Sequence, residues 1–192
     1  MFILKSGTSG NTAEVDKNNR VQAFSTSQTH ATAAALMSDY FNVNSGTINL
    51  TSASSSGLLY VKNLDTVQWS IGRVFYNFGN STGGTGDALT EILSMPSAGT
   101  LVSGGSVVTP ANFNFASPKL LLGTFLAGVE GSTVTDGTVA ISSIIPAVAT
   151  RVLITFDSIV LDPGASLAIR ITPQTSNTSM NIQVGLNLHR EA

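Results

Sequence analysis

A regular alternation of apolar and polar residues near the end of the chain constrains its fold more than any other feature. From residue 180 to residue 188, apolar side chains occupy every even position, and Asn, Gln or Gly occupies every odd one. Successive side chains of a β-strand point to opposite faces of a sheet, so a period of two predicts a half-buried antiparallel strand. Residues 152–157 and 167–171 alternate in a similar way. The C-terminal part of the chain is therefore predicted to be β-sheet.

Further β-rich segments lie between Gly, Pro and Asp residues in the rest of the chain. They cover residues 47–51, 58–63, 67–78, 107–115, 119–126 and 134–145. Short strands at this spacing are typical of sandwiches and barrels. Within residues 67–78 the apolar phase shifts at Gly72, which predicts a bulge in one long, bent strand. The expected fold class is all-β, an antiparallel β-sandwich.

A turn signal precedes the last two predicted strands. Pro163 and Gly164 follow Asp162 and so occupy the second and third positions of a type II turn. We predict a hairpin at this turn, which pairs residues 158–161 with residues 167–171.

The N-terminal part of the chain lacks strand patterning. Residues 6–30 contain only four residues that a core would bury. Residues 29–37 are rich in Ala and predict one short helix, with Thr29 as its N-cap. We expect an extended N-terminal arm over residues 1–39, followed by a β-sandwich domain over residues 40–192.

Such an arm is predicted to function by binding another subunit. Ordering it costs about 1–2 kcal/mol per residue, so a partner has to supply hydrogen bonds and pockets. We expect residues 20–25 to add to the edge of a neighbour's sheet. The predicted partner-binding anchors are Val15, Arg20, Val21 and Phe24.

Composition argues against several classes of partner. The formal net charge is −2, and the nine basic residues are scattered singly, so we expect no direct contact with nucleic acid. There is no Cys, and only 10% of the residues are charged. The apolar start of the chain is too short for a signal peptide, and no apolar run is long enough to cross a bilayer. We therefore expect synthesis in the cytoplasm and no membrane partner.

The residues that carry chemistry form no recognisable catalytic pattern. The two histidines, His30 and His189, lack the spacing of metal ligands, and both are interpreted as solvated surface residues. The Gly-rich residues 83–86 lack the Lys of a phosphate-binding loop and are predicted to connect two strands. The acidic residues offer no favoured pair. We expect no catalytic residue, no metal and no cofactor, and hence no enzyme.

Most aromatic residues have the spacing of core positions in strands. Because core is the commonest place for such residues, we assign a set of nine to it. These are Tyr60, Trp69, Phe75, Tyr76, Phe78, Phe113, Phe115, Phe125 and Phe156.

Several stretches of the chain resemble one class of protein. They are residues 13–16 (AEVD) with residues 19–21 (NRV), residues 41–51 (FNVNSGTINLT), residues 59–63 (LYVKN) and the closing residues 163–169 (PGASLAI). In these stretches the chain resembles bacteriophage virion structural proteins of the head-decoration or auxiliary capsid kind. The resemblance implies a jelly-roll-like β-sandwich and a place on the virus particle. It assigns no binding residues.

The resemblance implies a capsid decoration, or cement, protein, and the composition is compatible with that function. We expect a homo-oligomer, with a trimer favoured, on the outer capsid surface of the virion, where it clamps neighbouring major capsid proteins. The alternative is a head-fibre, collar or tail-associated virion protein that contacts host surface glycans through the loops at residues 83 and 97. A third possibility is a carbohydrate-binding sandwich encoded by a cell.

Overall fold

A computed structural model of the chain describes residues 3–5, 12–15, 21–22, 30–146 and 151–191. The chain consists of two compact units, Met1–His30 and Ala31–Ala192. The sequence places the boundary at residue 39, whereas the first compact unit ends at residue 30. Each unit is described by itself below.

The first unit is a small antiparallel sheet. Its three strands are Ile3–Lys5 (β1), Thr12–Val15 (β2) and Val21–Gln22 (β3), and β2 lies between the other two. Val15 is opposite Val21. The described strands of the N-terminal segment therefore pair with one another, where the sequence suggested a single extended arm.

The second unit is nearly all β, as the alternation predicts. A short helix, His30–Leu36 (α1), leads into it, within the predicted residues 29–37, and Ala34 of this helix is buried. The predicted N-cap, Thr29, lies outside the described residues. The remaining elements are Tyr40–Leu50 (β4), Ser56–Asn63 (β5), Trp69–Thr82 (β6), Ala88–Ser94 (β7), Leu101–Gly104 (α2), Ser106–Val107 (β8), Ala111–Asn112 (β9), Gly123–Ala127 (β10), Thr138–Ile145 (β11), Arg151–Leu161 (β12), Ser166–Pro173 (β13) and Ser179–Arg190 (β14).

Two antiparallel sheets pack together as a β-sandwich, which confirms the predicted fold class. The five-stranded sheet has the order β12-β6-β14-β4-β9, and the six-stranded sheet has the order β11-β7-β13-β5-β10-β8. The eight longest strands pair in a nested order along the chain. β4 pairs with β14, β5 with β13, β6 with β12 and β7 with β11. The first long strand thus lies beside the last, and the innermost pair is β7 and β11.

The main core lies between the two sheets. Every even residue of β14 from Met180 to Leu188 is buried there, as the period of two predicts. Trp69 of the five-stranded sheet stacks on Phe125 of the six-stranded sheet, with ring centroids 5.6 Å apart. Each large side chain buried in this way contributes about 1.5–3 kcal/mol to stability, so the alternation itself holds the sheets together.

The turn at residues 162–165 forms as predicted, but the predicted hairpin is wrong. The amide of Ala165 donates to the carbonyl oxygen of Asp162 at 2.9 Å, and Gly164 has a φ of +86°. However, β12 belongs to the five-stranded sheet and β13 to the six-stranded sheet. A type II turn does not match the twist of a two-stranded hairpin, because it splays the flanking strands apart. Here it carries the chain from one sheet to the other.

The bulge predicted at Gly72 is confirmed. Arg73 of β6 is opposite Asn187 of β14, and Ile71 is opposite Leu188, so Gly72 is an additional residue without a partner in β14. The bulge moves the buried face of β6 from odd positions at Trp69 and Ile71 to even positions at Val74 and Tyr76. The strand thereby keeps Trp69, Ile71, Val74, Tyr76 and Phe78 in the core on both sides of the bulge.

Candidate functional site

The predicted arm anchors are only partly described by the structure. Val15 ends β2 and Val21 begins β3, opposite each other in the first unit. Arg20 and Phe24 lie outside the described residues. The burial of these anchors against a partner therefore stays a prediction.

The described part of the chain supports neither a metal site nor a nucleophilic serine site. No group of three or more His, Cys, Asp or Glu residues within it is arranged to hold a metal ion. The expectation that no catalytic pattern occurs in the sequence is wrong for residues 79–83 (GNSTG). They match the Gly-x-Ser-x-Gly pattern of serine hydrolases, which places Ser on a sharp turn between a strand and a helix. Ser81 instead lies inside β6, opposite Met180 of β14. The pattern therefore lacks the structural context that the chemistry needs.

Among the described helices, neither is long and apolar enough to cross a membrane.

His189 is buried, so the prediction of a solvated surface residue is wrong for it. Its exposed fraction is 8%, although it lies on the outer face of the five-stranded sheet as its polar phase predicts. The ring lies between two neighbours: Nε2 is 3.3 Å from a carboxylate oxygen of Glu191, and the Tyr40 ring centroid is 6.3 Å away. Ser70, opposite His189 in β6, donates a hydrogen bond to Glu191. The side chain of His30 lies outside the described residues.

Ion pairs fix the same end of the sheet. Arg190 donates two hydrogen bonds to the buried carboxylate of Asp65, at 2.7 and 3.0 Å. These bonds from Arg190 hold the pKa of Asp65 below its ordinary value. Lys119 lies 2.6 Å from the buried carboxylate of Asp39. The end of the five-stranded sheet at Arg190 is therefore held to the neighbouring segments by these charged contacts.

An open groove of about 380 Å³ lies on the outer face of the five-stranded sheet. We call it the amide groove. β4, β6 and β14 contribute its central residues, and the segment after β9 contributes two phenylalanines. It is lined by Asn42, Arg73, Phe75, Ala111, Phe113, Phe115, Leu153 and Asn187.

Phe75 forms the floor of the amide groove because of the glycine beneath it. Gly185 is opposite Phe75 in the register of β6 and β14. A Cβ at residue 185 would come within 2.1 Å of the Phe75 ring, so only glycine lets the ring occupy this position over β14. An aromatic ring is thus held on the face of the sheet that otherwise carries polar residues.

A chain of oriented hydrogen bonds crosses the amide groove beside this ring. The Asn42 amide donates to Oδ1 of Asn187 at 2.8 Å, and the Asn187 amide donates to the Tyr40 hydroxyl at 3.2 Å. The Tyr40 ring stacks on Phe113, with centroids 4.6 Å apart. The two amides are therefore fixed in orientation, which is what a specific polar binding site requires.

β8 and β9 are edge strands of the two sheets, and segments around them carry exposed apolar side chains that we call the apolar rim. It comprises Leu36, Met37, Val107, Phe115, Leu120 and Leu122. The segments that carry these side chains are tied together. Asn114 donates to the Ser38 hydroxyl at 2.8 Å, and Asn112 donates to the Lys119 carbonyl oxygen at 3.3 Å. Val107 and Leu120 line a second groove of about 310 Å³.

The core assignment of the aromatic residues is correct for five of them and wrong for three, Phe75, Phe113 and Phe115. Tyr60, Trp69, Tyr76, Phe78 and Phe125 are buried. Phe113 is 39% and Phe115 90% exposed, since both follow the two-residue strand β9 and have no sheet above them. Phe75 is half-buried on the outer face. The side chain of Phe156 lies outside the described residues.

Within the described residues of the second unit, the outer face of the six-stranded sheet is covered, unlike the face that carries the amide groove. Residues 96–105 and 128–136 form this cover, joined to each other by a hydrogen bond from the Thr100 amide to the Thr133 carbonyl oxygen at 3.0 Å. Beneath it is a second cluster of buried side chains, Tyr60, Leu93, Leu101, Leu126, Val134 and Ala168. Leu101 is fully buried, so the predicted loop at residue 97 leads into packed structure.

Sequence reasoning missed the amide groove because its residues are far apart in the chain. Asn42, Arg73 and Asn187 come from three strands, and each is an ordinary polar residue in the outward phase of its strand. The one available signal was Gly185 in the middle of the most regular strand, because an interior glycine often marks the close approach of another group.

No known protein family matches the chain, and no curated protein is significantly similar to it.

Proposed function

We propose that the chain is a structural virion protein that decorates and cements a phage capsid by binding neighbouring major capsid proteins. The observation that carries this proposal is the apolar rim. Phe115 is 90%, Val107 82% and Leu120 76% exposed. Val107 and Leu120 also line one groove, and exposed apolar patches mark sites of protein–protein contact. The rim therefore supports a function based on assembly.

The strand order supports the same proposal. Nested pairing of eight strands across two sheets describes a chain folded as one long hairpin and then rolled into a sandwich. We propose that this is the jelly roll that the resemblance implies. Viral capsid proteins and lectins both use the jelly roll, so the fold is compatible with assembly and with sugar binding.

In this proposal the two units have different roles. The sandwich sits on the outer capsid surface and contacts a neighbour through the apolar rim, within a homo-oligomer for which a trimer is favoured. The N-terminal unit binds the major capsid protein through Val15, Arg20, Val21 and Phe24. The low content of charged residues, 10%, suits interfaces of this kind, because charges are depleted from interface cores.

Deletion of residues 1–30 tests the clamp. The truncation follows the boundary of the compact unit, and the remaining chain keeps both sheets of the sandwich. We expect the truncated protein to unfold cooperatively, like the full chain, and to lose binding to capsid shells in a co-sedimentation assay. If the folded truncated protein binds shells as tightly as the full chain, the N-terminal unit has no role in binding.

A second candidate function is favoured by the amide groove. A head-fibre, collar or tail-associated protein would use an open, polar site to contact host surface glycans. Copy number separates the two candidates. Decoration requires a number of copies comparable with that of the major capsid protein, whereas a fibre, collar or tail protein is present in few copies per particle.

A further inference from the structure

The polar groups of the amide groove are not used by a decoration function that depends on the apolar rim. Asn42 and Asn187 both line the groove, and each keeps one group without a hydrogen-bond partner among the described residues. These groups are Oδ1 of Asn42 and one N–H of the Asn187 amide. They lie in a row across β4 and β14, because Asn42 is opposite Asn187. The row offers one acceptor and one donor to a ligand.

A cation lies next to this row. Arg73 is opposite Asn187 on the other side of β14, and its side chain is exposed. In the part of the chain that the structure describes, no Asp or Glu forms an ion pair with Arg73. A guanidinium group binds a carboxylate with two parallel hydrogen bonds, so Arg73 is available for an acidic group of a ligand.

The Phe75 ring at the floor of the groove restricts which chemical classes of ligand can bind there. The Phe75 ring provides a flat apolar surface of the size of a six-membered ring. A ligand that fits both the ring and the amides has an apolar face and a polar edge. A purely apolar ligand would bury the amides unpaired, at a cost of about 1–3 kcal/mol for each group. A nucleic acid would require a cluster of cations, which one arginine does not provide.

We propose that the amide groove binds a sugar that carries a carboxylate. The C–H face of the pyranose ring packs on Phe75, its hydroxyls pair with Asn42 and Asn187, and its carboxylate pairs with Arg73. A uronic acid and a sialic acid share this chemistry. The proposal deepens the second candidate function by naming the class of glycan, and it does not depend on capsid decoration.

Titration calorimetry with the full chain tests the proposal through matched pairs of sugars. Glucuronic acid is compared with glucose, and sialyllactose with lactose, so that each pair isolates the acidic group. We expect at least one acidic sugar to bind with a Kd of about 1 mM or lower and its neutral partner to bind at least about tenfold more weakly. Which acidic sugar binds distinguishes a uronic acid from a sialic acid.

Variants assign the binding to the groove. Arg73→Ala is expected to weaken binding of the acidic sugar by about tenfold or more, and Arg73→Lys to restore only part of it, because Lys retains the charge and loses the paired hydrogen bonds. Lys62→Ala is the matched control, since it removes the same charge from the six-stranded sheet and should leave the Kd unchanged. Phe75→Leu should weaken binding of both sugars of a pair, because it removes the flat ring and keeps an apolar cover over Gly185.

Three results would overturn the proposal. They are no binding of any of the four sugars at about 10 mM, equal affinity for an acidic sugar and its neutral partner, and unchanged affinity in Arg73→Ala. Each leaves capsid decoration untouched, because decoration is measured as binding to shells and depends on the apolar rim and the N-terminal unit.

Discussion

The outer faces of the two sheets carry different residues and have different surroundings within the second unit. On the six-stranded sheet, the outward positions carry Tyr60, Leu93 and Ala168, which are buried under the cover of residues 96–105 and 128–136. On the five-stranded sheet, the outward positions carry amides, Arg73 and the half-buried Phe75, and they border a groove. Within the second unit, one outer face is therefore packed under the chain's own segments, and the described residues leave the other open.

The covered face should therefore respond to mutation through stability, and the open face and its apolar rim through binding. The cover is held to the sheet by backbone contacts: the Gly57 amide donates to the Ser132 carbonyl oxygen at 2.7 Å, and the Gly128 amide to that of Leu58 at 3.0 Å. The four changes below test this division, from the largest expected effect to the smallest.

Gly128→Ala should have the largest effect on stability. A Cβ at residue 128 would lie 1.9 Å from the carbonyl oxygen of Gly57, so the backbone of the cover has to move away from β5. We expect a loss of about 3–4 kcal/mol in the free energy of unfolding, measured by urea denaturation. Gly104→Ala is the control, because a Cβ at residue 104 meets nothing within 4 Å. Equal stability of Gly128→Ala and the natural chain would mean that the cover is not packed as described.

Leu101→Ala tests the cluster beneath the cover. Leu101 is fully buried against the outward side chains of the six-stranded sheet. Removing three carbons from such a site costs about 2–5 kcal/mol through lost burial and the cavity left behind, and we expect about 3 kcal/mol. Thermal unfolding measures the effect. A change below about 0.5 kcal/mol, as for a surface residue, would place residues 96–105 away from the sheet.

Glu130→Gln tests an electrostatic link between the cover and the end of β4. The carboxylate of Glu130 accepts hydrogen bonds from the amide of Thr51 at 2.6 Å and from the amide of Ser52, and these bonds lower its pKa. The amide of Gln is a weaker acceptor, so we expect a loss of about 1 kcal/mol at neutral pH.

The same pair of proteins should show a defined pH dependence. Because the pKa of Glu130 is lowered in the folded state, its contribution is fully present above the ordinary pKa of Glu, about 4.3, and is lost as pH falls through the lowered pKa. The difference in stability between the natural chain and Glu130→Gln should disappear at low pH. A constant difference at all pH values would contradict the link.

Phe115→Ser should have the smallest effect on stability and a large effect on assembly. With 90% of its surface exposed, Phe115 contributes little to folding, and we expect a change within about 0.5 kcal/mol. Analytical ultracentrifugation and binding to capsid shells provide the second measurement, in which we expect dissociation of the oligomer or loss of binding. A variant that is equally stable and assembles normally would exclude this part of the apolar rim as an interface.

The fold could be predicted from sequence where the pattern within one segment is sufficient. The period of two in β14, the bulge at Gly72 and the helix within residues 29–37 all depend on neighbours in sequence. The prediction of a hairpin between β12 and β13 is wrong because an alternating pattern shows only which face of a strand is buried. It does not show which strand lies beside it. Pairing of β13 with β5 and β7 depends on residues far away in the chain.

The candidate site was harder to predict for a similar reason. The amide groove brings together Asn42, Arg73 and Asn187, whose outward phase is visible in sequence but whose neighbours are not. The burial of His189 depends on Tyr40, which begins the neighbouring strand β4, and on Glu191, which directly follows β14. The core assignment of Phe115 is wrong because the β-rich residues 107–115 give no sign that strand β9 ends at Asn112, three residues before Phe115.

The central claim, that the chain is a structural protein of a virus particle, is tested most directly by a cryo-EM map of the intact particle. We expect density for the β-sandwich on the outer capsid surface, with the apolar rim against a neighbouring copy or a major capsid protein and the amide groove open to solvent. A map in which the apolar rim faces solvent, or in which the shell carries no such density, would contradict the claim.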